Sequence, residues 1–281
     1  MLVPILLTLA VQHAPLDTTV AVRSDTRLEV SLSAGSINVK VWDRSAVRIV
    51  ARSDRGTVAT AELDGAVLRV RARTPGGGID VADYEITVPR RMSLTLGRGD
   101  VDITVRGTEG AVDASVTSGS ITVEGGRGSV SLHSFQGSIE VRGARASVTA
   151  ESTTGAIRLN DVVGDVAITS NSNHLTLEGV DSRNLRARSI SGVIRFSGPL
   201  HQDGRYVLTT HSGSVFARTP VPINATVAVA TVGGAFNSPL PYSVTERRRQ
   251  NIFTARFGSG GAQVSLETFT GAIFVEELKP M

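Results

Sequence analysis

A short segment recurs along the chain, and its spacing limits the possible folds more than any other feature of the sequence. Six versions read SVTSGSITV at 115–123, HSFQGSIEV at 133–141, ESTTGAIRL at 151–159, TSNSNHLTL at 169–177, RSISGVIRF at 188–196 and TTHSGSVFA at 209–217. The central Gly or Asn follows the previous one by 18 residues three times, and then by 19 and 21 residues. A nearly fixed period of about 20 residues is typical of a solenoid, in which successive repeats stack into a column.

Each repeat contains two short runs in which apolar and polar residues alternate. Around Gly137, for example, Val130 and Leu132 precede the glycine and Ile139 and Val141 follow it. Alternation with a period of two predicts β-strands that bury one face. A single repeat cannot bury that face, whereas stacked repeats bury a continuous apolar column. The sequence therefore predicts an all-β, parallel β-helix-like solenoid, and the general crossover preference favours a right-handed winding.

The central Gly or Asn is predicted to be a structural hinge between the two strands of a repeat. These residues tolerate the left-handed backbone that a sharp corner requires. The segments at 32–39 and 267–275 and the glycine at 99 extend the pattern toward both ends. The predicted hinges are Gly35, Gly99, Gly119, Gly137, Gly155, Asn173, Gly192, Gly213 and Gly271. The polar residue before each hinge, such as Ser118 or Thr154, is expected to hydrogen-bond the corner backbone.

Two short stretches look functional and are better explained as corners. His211 beside Ser212 places a base next to a hydroxyl, as in nucleophilic catalysis. However, Ser212 occupies the ordinary position before a hinge, and no Asp or Glu is near in sequence to orient the histidine. Residues 98–100 spell the integrin-binding tripeptide RGD, but Gly99 is itself a predicted hinge.

The remaining candidate chemistry is dispersed along the chain. The histidines that could be considered as metal ligands are His133, His174, His201 and His211. They lie at different positions of different repeats, without the short spacing of a metal site. Glu124 and Glu178 share a position, but at about 4.8 Å per layer they are about 14 Å apart, beyond the separation of about 6.5–9.5 Å that inverting glycosidases use. The sequence predicts no catalytic residue, metal or cofactor, and a polysaccharide-active β-helix enzyme is a weak alternative.

Two segments depart from the repeat. Residues 45–90 read as longer alternating strands joined by turns, and we expect antiparallel pairing there, as a cap or side sheet on the first coils. Residues 238–262 read as an irregular insertion, a loop or hairpin that projects from the column.

The first residues are typical of an export signal. MLVPILLTLA is an apolar run of about ten residues, too short to span a bilayer, which needs about 20. We interpret residues 1–14 as a signal peptide, cleaved after Ala10 or Ala14, and residues 15–281 as a single solenoid domain without a transmembrane segment. The protein is then exported to the periplasm, the outer surface or the medium of a bacterium. The absence of cysteine excludes disulfides and thiolate metal sites.

Several tracts together resemble a known family. ITVPRRMSLTLGRGDVDI at 86–103 is followed by the hinged repeats, then by AFNSPLP at 235–241 and GSGGAQVSLETFTGAIFV at 258–275. This pattern resembles the bacterial DUF4097 family, an adhesin-type domain, over residues 25–278. The resemblance implies a β-helix-like fold on exported or membrane-tethered envelope proteins, and it brings no catalytic residues.

The sequence therefore favours a non-catalytic, exported cell-envelope protein that binds or serves as a scaffold in the manner of an adhesin. The net charge of +3 and the aromatic content of 4% do not indicate nucleic acid binding. The expected partner is an envelope protein or polysaccharide, and open ends of the column make self-association conceivable. The alternative is an envelope stress or signalling module that acts through residues 238–262, where Arg247, Arg248 and Arg249 are possible partner contacts.

Overall fold

The computed structural model describes residues 16–53 and 57–279, and these residues form 25 strands and no helix. The strands are β1 Leu16–Ala21, β2 Arg27–Trp42, β3 Ala46–Ser53, β4 Val58–Asp64, β5 Val67–Arg73, β6 Val81–Pro89, β7 Leu94–Arg106, β8 Val112–Val116, β9 Ile121–Glu124, β10 Val130–Ser134, β11 Ile139–Arg142, β12 Val148–Ser152, β13 Ile157–Asn160, β14 Val166–Ser170, β15 Leu175–Glu178, β16 Asn184–Ser189, β17 Ile194–Ser197, β18 Arg205–Thr210, β19 Val215–Thr219, β20 Ala225–Thr231, β21 Phe236–Asn237, β22 Ser243–Arg249, β23 Ile252–Phe257, β24 Ala262–Thr268 and β25 Ile273–Glu277. The predicted signal peptide lies outside the described residues.

Each repeat contributes one strand to each of two parallel faces. Face 1 stacks β8, β10, β12, β14, β16 and β18 in order, and face 2 stacks β9, β11, β13, β15, β17 and β19. Equivalent residues pair directly, as Ile139 does with Ile121 and Ile157. The prediction of an all-β, β-solenoid-like fold is therefore confirmed, while the hand of the winding stays a prediction.

The interior of the column is made of the alternating aliphatic residues. Val130, Leu132, Ile139 and Val141 of one repeat are all buried, and the outward residues between them are at least partly exposed. The turn that joins one repeat to the next adds a third apolar contact, since Ala144 is also buried. Because every layer places the same kinds of residue at the same position, one directly above another, the core continues through the whole stack.

At each end of the column, a segment from near one chain terminus is inserted between two parallel layers and is not the outermost layer. The long strand β2 pairs in parallel with β7 on one side and with β5 and β6 on the other. At the opposite end, β24 and β25 pair with β18 and β19, and then β20 and β21 stack outside them. The order of the layers therefore differs from the order of the sequence at both ends.

The expected antiparallel region near the N-terminus is present. Strand β3 pairs antiparallel with β6, β1 pairs antiparallel with β3, and β4 pairs antiparallel with β5. Only β1, β3 and β4 form the cap, however, because β5 and β6 continue the parallel faces. The capping strands leave the outer edges of β1 and β4 as the end of the stack within the described chain.

Residues 238–262 form a hairpin, one of the two forms predicted, but the prediction that it projects from the column is wrong. Strands β22 and β23 form the hairpin, and β23 adds to face 1 by pairing antiparallel with β20. Its apolar side chains close the end of the column, where Phe253 and Tyr242 both lie within 5.5 Å, centroid to centroid, of Phe236. Phe257 is buried beneath Tyr242. The physical reason is that an open last layer would expose both its interior and an unpaired edge.

Candidate binding surfaces

The glycines at the corners form a line along the column. An added Cβ atom on Gly137 would overlap the carbonyl oxygen of Gly119, and one on Gly155 would overlap that of Gly137. The same relation continues through Gly192 on Asn173, Gly213 on Gly192, Gly271 on Gly213 and Gly234 on Gly271. Only a residue without a side chain fits such a close approach of two backbones.

This geometry corrects two parts of the hinge prediction. Of the nine predicted hinges, only Gly35 and Gly119 have a left-handed φ, at +120° and +99°. For the other glycines among them, close packing of layers, and not the backbone conformation, explains the residue. Gly99 also lies out of line, because it packs against Ser33, and Val101 takes the place in the column. Strand β7 runs through this corner without interruption, so the layer bends differently there.

Some of the residues just before the hinges bond the corner backbone as predicted: the hydroxyls of Thr154 and Ser191 donate to the carbonyls of Phe135 and Asn171 at 3.3 and 3.2 Å. Most residues at this position are exposed, however, and a second, buried set of hydroxyls lies three residues before the hinge. The Gly155 N–H donates to the Oγ atom of Ser152 at 2.8 Å, and that hydroxyl donates to the Gly137 carbonyl at 3.4 Å. Ser134, Ser189, Thr210, Thr231 and Thr268 make one or both of these bonds in their own layers. Ser170, in the layer of Asn173, is buried without a partner.

The structure places His211 in a structural contact. Its ring stacks on Phe269 of the next layer, with centroids 5.0 Å apart and 10° between the planes. No carboxylate within the described residues pairs with it. His133 and His201 instead contact Glu151 and Asp181, respectively, each across one layer. Within the described residues, no group of three His, Cys, Asp or Glu is arranged to hold a metal ion.

The pKa shifts in the structure belong to structural groups. Burial raises the pKa of the phenols of Tyr84 and Tyr206. A hydrogen-bonded arginine lowers the pKa of Asp17 and of Asp43, and both carboxylates lie on the surface at the N-terminal end. A catalytic acid or base usually shows a shifted pKa inside a cleft next to a nucleophile, and these four groups are not arranged in that way.

Carboxylates and arginines pair at two places on face 2. Glu124 lies between Arg106 and Arg142 in the register, with closest N–O distances of 2.9 and 3.7 Å. Farther along, Arg218 contacts Glu276 at 3.0 Å. Of the two acids considered for a sugar-cleaving site, Glu124 is thus a partner in exposed ion pairs, and Glu178 lies two layers beyond Arg142.

Face 1 carries three arginines without an acidic partner close together, on two adjacent strands in its middle. Arg186, Arg188 and Arg205 are exposed and lie on the adjacent strands β16 and β18. None of them is within 4.0 Å of a carboxylate in the described residues, and their neighbours in the register are uncharged. We call these three residues the arginine patch.

Arg247, Arg248 and Arg249 lie on β22, which is the outermost strand of face 1 at the C-terminal end. All are exposed, and Arg248 contacts Glu246 at 3.1 Å while Arg247 lies over the ring of Phe253. The pairing of β22 with β23 has two register shifts. Consecutive charges and bulges on an edge strand disfavour pairing with another sheet, so self-association at this end stays only a prediction.

The comparison with protein families is decisive for the assignment of this chain. The family model described as Toastrack DUF4097 matches residues 26–276. The chain belongs to the DUF4097 family. The resemblance seen in the sequence is therefore confirmed, and the matched range includes both faces, the C-terminal hairpin and the N-terminal cap strands except β1. No curated protein matches the chain.

Solved structures that are similar to this DUF4097 chain include two described by their authors in terms of adhesion. A "putative adhesin" from Bacteroides fragilis has 10% identity and a TM-score of 0.31, with 95% of this chain and 98% of that chain covered. A "putative cell adhesion protein" from Clostridium sporogenes has 9% identity and a TM-score of 0.20, with coverages of 94% and 100%. A "putative lipid binding protein" from Parabacteroides distasonis has 10% identity and a TM-score of 0.38, with coverages of 94% and 97%. Similarity at this level carries no argument about what the DUF4097 chain binds.

In the described part of this DUF4097 protein, no helix has the length and apolar character needed to cross a bilayer.

Proposed function

We propose that this DUF4097 protein is an exported, non-catalytic component of the bacterial cell envelope that binds a partner along its column, as an adhesin or scaffold does. The observation that carries the proposal is the arginine patch on face 1, where positive charge is displayed without an acidic partner. Exposed cations that are not neutralised within the protein attract ligands of opposite charge.

The architecture supports binding by many weak contacts. Eleven layers display outward side chains at a spacing of about 4.8 Å along the axis. A long ligand lying on such a face meets several layers at once, so contacts that are weak singly add up.

The proposal that the protein is non-catalytic rests on the contacts that the candidate catalytic residues make. Glu124 is held by two arginines, and His211 is stacked on Phe269. The weak alternative, a polysaccharide-active enzyme, would need two carboxylates facing each other across a bound sugar. In the described register, two layers separate Glu124 from Glu178, and Arg142 and Asn160 lie between them.

A signalling module is the second candidate, and the exposed arginines of β22 favour it. The seven residues of β22 are all exposed, so the side chains of Arg247, Arg248 and Arg249 are accessible to an acidic surface of a partner protein. Deleting residues 238–262 would not test this idea cleanly, because it would also remove Phe257 from the closed end of the column. The triple variant Arg247→Glu, Arg248→Glu and Arg249→Glu leaves the buried side of the hairpin intact and is the better test. Loss of capture of an envelope protein by this variant, with binding of polysaccharide unchanged, would favour signalling.

The direct test combines localisation with binding. The full-length chain carrying a C-terminal tag is expected in the envelope or medium fraction, and the purified protein starting at residue 15 is expected to bind cell-envelope material and not cytosolic extract. The same preparation is incubated with acidic polysaccharides, and no new reducing ends or unsaturated products are expected. Cytosolic localisation together with no envelope binding would overturn the binding proposal, and product release would overturn its non-catalytic part.

A further inference from the structure

The arginine patch is distinguished by what surrounds it. In the register of face 1, Arg188 lies between Thr169 and Thr209, and Arg186 lies between Ala167 and Val207. In the same way, Arg205 lies between Asn184 and Gln263. Each arginine therefore has an uncharged neighbour on both sides. Arg195 of face 2 also has uncharged neighbours, but no unpaired arginine lies on the strands beside it within the described residues.

The acids nearest to the patch are already engaged. Asp203 precedes Arg205 by two residues and contacts Arg183 at 3.4 Å, and Asp181 contacts His201. Asp165 accepts a hydrogen bond from the side-chain amide of Asn184 at 3.1 Å. The patch thus keeps its positive charge for a ligand, and Asp165 is a nearby carboxylate that opposes an anion.

A shallow groove of about 200 Å³ crosses the face at the patch. Arg186 and Arg205 line it together with Thr149, Asp165 and Asn184. The groove forms because Ala167 is small and leaves space between the longer side chains of the layers on either side. It offers two guanidinium groups, a hydroxyl and an amide to a ligand that lies across three or four layers.

The spacing of the charges suits a polymer better than a small ion. Arg186 and Arg188 are two residues apart on one strand, which separates their Cα atoms by about 7 Å. Arg205 lies in register with Asn184 on the next layer, and neighbouring layers are about 4.8 Å apart along the axis. The three charges therefore spread over roughly 15 Å along and across the strands. The guanidinium group bonds carboxylate and phosphate oxygens in pairs, so either acidic group fits.

The residues around the arginine patch also favour one class of polyanion over another. Proteins that bind single-stranded nucleic acid stack bases on aromatic side chains beside a basic groove. Here the outward neighbours of the patch are threonine, alanine, valine, asparagine and glutamine. Hydroxyl and amide groups between arginines match a ligand that carries many hydroxyls along with its charges.

We propose that the arginine patch and its groove bind an acidic polysaccharide of the cell envelope, one whose repeating units carry carboxylate or phosphate. This site deepens the proposed function and depends on it. The arginines bond the acidic groups, and Thr149 and Asn184 bond the sugar hydroxyls. Asp165 limits the affinity.

The test uses the purified protein starting at residue 15 and three probes on a biosensor: polygalacturonate as the carboxylated polymer, a poly(glycerol phosphate) as the phosphorylated one, and dextran as the neutral one. The triple variant Arg186→Gln, Arg188→Gln and Arg205→Gln is expected to lose about tenfold, and at most about a hundredfold, in affinity for one or both acidic polymers, since each exposed charge contact contributes up to about a fivefold factor. Asp165→Asn is expected to tighten binding about two- to fivefold by removing the opposing charge.

A matched variant controls for net charge. Arg127→Gln, Arg145→Gln and Arg158→Gln remove three arginines that are also exposed and without an acidic partner within 4.0 Å in the described chain, but that lie away from face 1. This control is expected to bind like the unmodified protein. Equal losses in the two triple variants would overturn the site, because binding would then depend only on total charge.

The remaining outcomes separate this site from the broader proposal. Envelope binding that persists unchanged in the patch variant would overturn the polysaccharide site and leave the proposed function standing. Absence of any envelope binding by the unmodified protein would overturn both. Tighter binding of an unstructured single-stranded DNA oligonucleotide than of either acidic polysaccharide would also overturn the site as proposed. The preference between the two acidic polymers identifies the acidic group.

Discussion

Replacing Gly137 with alanine tests why glycine lies at the corners of the column. The φ angle of Gly137 is outside the left-handed region, so alanine can adopt its backbone conformation. The new Cβ atom, however, would overlap the carbonyl of Gly119 and come within 3.0 Å of the Ser134 hydroxyl. The layers would have to move apart by more than an ångström to accept the methyl group.

The expected cost follows from these contacts. Overpacking in a rigid interior costs about 1–3 kcal/mol. Separation of the layers also weakens two hydrogen bonds, from the Gly137 N–H to Ser134 Oγ at 2.7 Å and from Ser152 Oγ to the Gly137 carbonyl at 3.4 Å, and each contributes about 1 kcal/mol. We therefore expect Gly137→Ala to lower the free energy of unfolding by about 3–5 kcal/mol.

A glycine at the end of the same layer supplies the control. Gly143 has a left-handed φ of +64°, but no atom lies within 4 Å of an added Cβ. Gly143→Ala therefore has only the conformational cost of alanine in that region, about 1–2 kcal/mol. Both free energies are measured by guanidinium unfolding followed by circular dichroism. If Gly143→Ala destabilises the protein as much as Gly137→Ala or more, close packing is not the reason for the glycine column.

Three further variants or pairs test other contacts. Ser152→Ala is expected to lower the free energy of unfolding by about 1–2 kcal/mol, because two hydrogen bonds are lost. Ser170→Ala is expected to have little effect, because its buried hydroxyl has no partner. Equal costs of the two variants in urea unfolding would contradict a stabilising role for the buried corner hydroxyls. Tyr206→Phe removes a hydroxyl that donates to a backbone carbonyl at 2.7 Å and is expected to cost about 1–3 kcal/mol. Tyr84→Phe removes a buried hydroxyl without a partner and is expected to be neutral or stabilising. An arginine contact lowers the pKa of Asp43 below its usual 3.8, so the stabilisation is complete above that pH and is lost as the pH falls through the lower folded-state pKa. Asp43→Asn is therefore expected to flatten the acid side of a plot of melting temperature against pH, and an unchanged slope would refute the contribution.

The regular part of the column could be predicted from the sequence because each repeat is a local pattern. The alternation in a repeat such as 130–141 defines which residues are buried, and the period of 18 residues sets equivalent residues above one another. The glycine line follows from the same period. No contact between distant segments is needed for these inferences.

The order of the end layers could not be predicted, because it depends on pairing between segments far apart in the chain. Residues 262–277 have the same pattern as any other repeat, and the pattern fits equally well outside the last layer or inside it. The structure places the segment inside, with Arg218 paired with Glu276, 58 residues away. Residues 225–237 were missed as a layer for the same reason, although Gly234 follows Thr231 by three residues as in the other corners.

The buried hydroxyls three residues before the hinges could have been found from a pattern that the sequence does contain. Ser and Thr are equally common three residues before the hinge and just before it, so the residue type alone does not tell the two positions apart. The alternation does, because the residue three before the hinge is in phase with the buried aliphatic residues, as Ser134 is with Val130 and Leu132. The surroundings of the arginine patch, by contrast, could not be found completely from sequence, because one neighbour of Arg205 is Gln263, which comes from the segment that inserts beside β18.

The insertion of β2 and of β24 between two layers makes the faces better suited to binding. In a solenoid the outermost layer has only one neighbour, so a chain end placed there is the first part to open. Here both β2 and β24 have neighbours on both sides, and antiparallel strands cover the outer layers. A partner that contacts several layers of face 1 then binds side chains that are already held at fixed spacing, and the entropy cost of ordering them has been met by folding. The same reasoning explains why the proposed site lies on β16 and β18, inside the parallel stack, and not on the exposed hairpin edge.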